Sequence, residues 1–178
     1  SLMYMRWWVV GVCFFWQALS PFFVAAQPKK TKKIKVDYLA LAAVLVRDGH
    51  HTRALDALSK IDPRSPALKK PKNKIKYYTL YGIIRLKNKE YLEAARNFEL
   101  SIHAGQKKPL VYLFLAQAYF RLTRYKQALR ALAKAPREVE KIAGTFLLWG
   151  QTLVRLRRWR QAYDVFRRGQ KLHPKVDV

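Results

Sequence analysis

The chain has 178 residues, 51% of them apolar and 13% aromatic, which suffices for one ordinary domain with a real core. Its formal charge of +25, from 36 Lys plus Arg against 11 Asp plus Glu, draws in acidic partners without dictating a fold. The single cysteine, Cys13, excludes a disulfide framework and any thiolate metal site after it.

Residues 1–26 come first. Trp7 to Leu19 is almost unbroken apolar sequence, with Arg6 before it and the breaker Ser20-Pro21 after it. Val24 and Ala26 are small residues placed for cleavage before Gln27, so the order predicts a secretory signal peptide. Lys29, Lys30, Lys32, Lys33 and Lys35 follow, and that basic flank favours the cytoplasmic side. A membrane anchor, or a segment packed on the folded domain, therefore stays open. Residues 27–34 read as a basic linker.

The remainder is periodic. Tyr91-Leu92-Glu93-Ala94, Tyr125-Lys126-Gln127-Ala128 and Trp159-Arg160-Gln161-Ala162 share one pattern at intervals of 34 residues. His51-Thr52-Arg53-Ala54 is a weaker copy 40 residues before Tyr91, and Lys69–Lys74 accounts for the extra six. Repeats then run 35–68, 75–108, 109–142 and 143–176. Within each, an aromatic (Tyr38, Tyr78, Tyr112, Phe146) is followed four positions on by a small residue (Ala42, Gly82, Ala116, Gly150). Ala54, Ala94, Ala128 and Ala162 recur on the second half, followed by Leu58, Phe98, Leu132 and Phe166. Apolar spacing such as Tyr112, Leu115, Ala116 and Tyr119 is helical. Units that cannot bury their apolar face alone must stack. Turns are expected near Gly49, Asn88, Thr123 and Arg157.

This pattern resembles the tetratricopeptide repeat family over residues 35–176. The resemblance implies an all-α, right-handed superhelical solenoid of four helical hairpins and a protein-binding role. Only Pro174 stands out as that family's closing proline.

No catalytic constellation is visible, so no enzyme, cofactor or metal is expected. His50 and His51 are adjacent and cannot share a metal from one helix face. His103 and His173 read as solvated polar residues. Glu90 with Glu93, and Glu138 with Glu140, read as acids complementing a helix dipole. No Gly-rich phosphate loop occurs.

The family's inward positions, carried over, give a concave groove of Leu39, Ala43 and Val46; Thr79, Ile83 and Leu86; Leu113, Gln117 and Phe120; and Leu147, Gln151 and Val154. One step on stands a cation in every repeat: Arg47, Lys87, Arg121 and Arg155. An apolar floor edged by cations suits an acidic or amphipathic segment of a protein partner. The same cations also fit plain capping of helix C-termini. The Lys and Asn of the family's carboxylate clamp are absent from the inward positions, which argues against a chaperone's acidic tail as ligand.

The leading expectation is a scaffold in a periplasmic or cell-envelope assembly. Nucleic acid, as in the pentatricopeptide proteins, is the competing ligand. The apolar groove and the leader count against it. Lys29–Lys35 and Lys69–Lys76 offer electrostatic attachment to anionic membrane or cell-wall polymer. Weak self-association is expected from an uncapped last repeat.

Overall fold

A computed structural model describes residues 35–175. The leader and linker readings lie outside the described residues. The chain from Val36 onward is one compact unit, and every regular element described in it is helical.

Four hairpins follow one another: α1 (Tyr38–Arg47) with α2 (His51–Ser59), α4 (Pro71–Lys87) with α5 (Tyr91–His103), α6 (Pro109–Arg121) with α7 (Tyr125–Lys134), and α8 (Gly144–Arg155) with α9 (Trp159–Leu172). Between hairpins lie the single turn α3 (Pro66–Lys69) and a 3-10 turn, Arg137–Lys141. Each helix packs on its hairpin partner, and α1 on α4, α4 on α6 and α6 on α8 also touch, so the first helices form a continuous row.

The hairpin turns are built alike. Gly49, Lys89, Thr123 and Arg157 have φ of 80°, 63°, 59° and 58°. The next residue returns its N–H to a carbonyl five residues back: His50 to Leu45 at 2.7 Å, and Glu90 to Arg85, Arg124 to Tyr119 and Arg158 to Leu153, each at 2.9 Å. This Schellman closure satisfies the last carbonyls of the first helix and reverses the chain. The N–H groups of Ala54, Ala94, Ala128 and Ala162 then bond to the carbonyl of that residue, starting the second helix.

Those alanines are buried, and no larger side chain would let the helices approach so closely. Two core clusters result. One joins Ala42, Leu58, Tyr77 and Ile84 across the first two hairpins; the other joins Ala94, Phe98, Leu115, Ala116, Ala128 and Leu132 across the second and third.

The extra residues 69–74 mostly lengthen a helix. Pro71 sits in the first turn of α4, where a missing N–H costs nothing. The helix extends to 17 residues, against 10, 13 and 12 for α1, α6 and α8. Asn73 Nδ2 donates to the Ala67 carbonyl at 2.9 Å, tying α3 to α4.

Candidate functional site

The residues expected to line the groove all fall on the first helices, with Leu39, Ala43, Val46 and Arg47 on α1, Thr79, Ile83, Leu86 and Lys87 on α4, Leu113, Gln117, Phe120 and Arg121 on α6, and Leu147, Gln151, Val154 and Arg155 on α8. None is fully buried. Leu147, Gln151 and Gln117 are exposed; most of the others pack one side on a core cluster and keep the other open.

Arg47, Lys87, Arg121 and Arg155 are each the last residue of their helix, and all four are exposed. There they favour the negative end of the helix dipole. They are not four equivalent charges. Arg47 Nε bonds Asp48 Oδ1 at 2.9 Å, and this hydrogen bond holds the Asp48 carboxyl below its ordinary range. Arg121 lies over the Tyr91 ring, 5.4 Å from its centroid, and donates to the Tyr91 hydroxyl at 3.2 Å. Lys87 and Arg155 have no ion pair among the described residues.

Thr79 differs from the expectation of a free groove residue. Its hydroxyl is 2.7 Å from Ser101 Oγ and accepts from Gln106 Nε2 at 3.1 Å. Gln106 Oε1 in turn accepts the N–H groups of Lys107 and Lys108. A buried amide thus joins α4 to the start of α6. Nothing in the repeat pattern signalled this network, because Gln106 takes the place where the family has its closing proline. Pro66 occupies that place in the first repeat, as Pro174 does in the last.

His173 is half-buried, with Nε2 2.7 Å from the Glu140 carbonyl and its ring 5.8 Å from that of Phe146. Glu138 and Glu140 lie in the first turn of the 3-10 segment, as expected of acids at a helix start, and Glu140 also pairs with Arg168 at 2.7 Å, tying that segment to α9.

A cleft of about 600 Å3 lies on the side of the second helices between α5, α6 and α7. Leu100, Ile102, Tyr112 and Leu115 line it, with Arg96, His103 and Lys134 at its rim. Beside it Tyr119 donates to Glu99, and burial pushes the Tyr119 hydroxyl up to about 12, helped by that carboxylate. A phenol so held is a structural donor, not a proton carrier near neutrality. Among the described residues, no three His, Cys, Asp or Glu come together as metal ligands. No described helix is long and apolar enough to cross a membrane.

Solved structures share this architecture. YrrB, reported as a TPR protein with an unusual peptide-binding site, is 23% identical over 77% of this chain and 68% of its own, with a TM-score of 0.66. MamA from Desulfovibrio magneticus RS-1 is 21% identical over 79% of this chain and 76% of its own, with a TM-score of 0.64. Residues 87–169 also match the family model for anaphase-promoting complex, cyclosome, subunit 3. The chain has the tetratricopeptide-repeat fold. PilF of Pseudomonas aeruginosa is similar at 16% identity over 78% of this chain and 61% of its own, with a TM-score of 0.61. No curated protein sequence matches significantly.

Proposed function

We propose that this TPR domain is a scaffold in a cell-envelope assembly and holds an acidic or amphipathic segment of a partner along its first helices. The carrying observation is the continuous row of α1, α4, α6 and α8, which presents half-buried apolar residues and ends every helix in an exposed cation. A bound segment would seat apolar side chains against Ile83, Leu86, Leu113 and Phe120. Its carboxylates would meet Lys87 and Arg155, and Arg121 after it leaves Tyr91. The envelope is favoured by the apolar run Trp7–Leu19, with Arg6 before it and the small residues Val24 and Ala26 after it. The similarity to a TPR protein reported with a peptide-binding site supports a peptide-like ligand. Weak self-association belongs to the same reading: Trp159 and Tyr163 stand 61% and 65% exposed on one face of α9. Sedimentation over a range of concentration measures it.

The test is an affinity titration with an acidic amphipathic peptide. Replacing Arg47, Lys87, Arg121 and Arg155 together with Gln removes four charges from the row. Replacing Arg157, Arg160, Arg167 and Lys171 with Gln removes four elsewhere. The first variant should lose far more affinity, since a charge-assisted contact contributes about 1.5–3 kcal/mol and less where water stays. Equal losses with equal salt dependence would reject the groove in favour of general attraction.

A further inference from the structure

A second concentration of charge lies on the outer surface of the third hairpin. Arg124, Lys126, Arg130 and Arg158 line two adjoining clefts of about 420 and 400 Å3, bounded by α7 and the turn into α9. The clefts share Lys126, Arg130 and Leu156, and Leu129 joins Leu156 in lining the second. Among the described residues, no acidic one lines either. All four cations are exposed, and none is in an ion pair among the described residues.

The other repeats supply an internal control. The residue that opens the second helix is His50, Glu90, Arg124 and Arg158 in turn, on the same backbone turn. In the second repeat Glu90 complements the helix dipole and receives Arg85. The fold therefore accepts an acid at this position. In the third and fourth repeats an Arg stands at the positive end of the helix, which opposes the dipole, and two further cations crowd beside it. Such crowding lowers stability unless an anion neutralises it.

The shape and lining select among anions. A flat bilayer would leave these concave clefts unfilled. A nucleic-acid strand needs an aromatic face for its bases. Tyr125, the aromatic residue lining the clefts, is half-buried and packed edge-on against Phe120, with centroids 5.4 Å apart at 66°. A peptide with carboxylates on either side of an apolar side chain matches cations arranged around Leu129 and Leu156. We propose that these clefts are a second docking site for an acidic protein segment. Its carboxylates would pair with Arg124, Lys126, Arg130 and Arg158 over that apolar floor. The proposal rests on the protein-binding reading but not on the row of first helices.

The test uses the full chain, a synthetic peptide of Glu pairs separated by single Leu residues, and an oligothymidylate of equal charge. Arg124→Glu with Arg158→Glu installs what the second repeat already carries. It should weaken peptide binding by about tenfold or more while leaving the melting temperature unchanged or raised. Lys126→Gln with Arg130→Gln should weaken binding in the same direction and provides the readout if the first pair unfolds the protein. Unchanged affinity in both variants overturns the proposal, and so does tighter, equally sensitive binding of the oligothymidylate. Loss only on neutralising Arg47, Lys87, Arg121 and Arg155 overturns this site and retains the row. The reverse pattern retains this site and rejects the row.

Discussion

The Phe98 ring lies so close to Gly82 that a Cβ on that glycine would stand 2.5 Å from Phe98 Cε1. Gly150 and Phe166 repeat the relationship at 2.2 Å. Sixteen residues separate each pair, and the same interval separates Ala42 from Leu58 and Ala116 from Leu132. The helix crossing thus takes either glycine with phenylalanine or alanine with leucine, two ways of filling one volume. Gly82→Ala gains about 1 kcal/mol in helix propensity and loses more to overpacking, for a net destabilisation of about 1–2 kcal/mol. Adding Phe98→Leu should recover most of it. A double-mutant cycle by denaturant unfolding checks this; additive single effects would mean that the two positions do not share the crossing.

The hairpin turns carry stored backbone strain that can be removed. Thr123 is exposed, β-branched and held at φ 59°, where glycine is at ease. Thr123→Gly should stabilise by about 1 kcal/mol, the relief of the left-handed conformation exceeding the entropy glycine returns to the unfolded chain. The shift in denaturation midpoint measures it, and a lower midpoint would show that the Thr123 hydroxyl bond to the Leu122 carbonyl matters more than the strain.

Much of this architecture was legible in the sequence because a stacked repeat forces equivalent residues into equivalent contacts. The interval of 34 residues located the hairpins, and Ala54, Ala94, Ala128 and Ala162 located the crossings. What the interval could not show is where the repeats differ. The 40-residue spacing marks Lys69–Lys74 as six extra residues but not their form: Pro71 opens a helix there and the lysines stay solvated. The bonds of Thr79 with Gln106, of Arg121 with Tyr91 and of Glu140 with Arg168 join different segments at unrelated repeat positions, so no periodic signal carries them. The groove positions were named by resemblance, and Thr79 shows how one of them can be drawn into an internal network.

Alkaline pH should unfold the domain early. Tyr119 ionises at about 12 in the fold, and burial raises Tyr77 as well. An unfolded tyrosine ionises near 10. Each raised group contributes stability that is complete below about pH 10 and is lost as pH rises through the folded value. Denaturation midpoints followed from pH 9 to about 12 should fall, and Tyr119→Phe should flatten part of that fall. An identical slope in Tyr119→Phe would show that the burial of its hydroxyl, and with it the bond to Glu99, is not maintained in solution.

The most direct test of the scaffold reading is amide hydrogen exchange, residue by residue, on the full chain with and without the acidic amphipathic peptide. Binding along the row of first helices predicts the largest slowing on α1, α4, α6 and α8, strongest toward their C-terminal ends at Arg47, Lys87, Arg121 and Arg155. Protection spread evenly over the basic surface, or confined to the second helices, would contradict it.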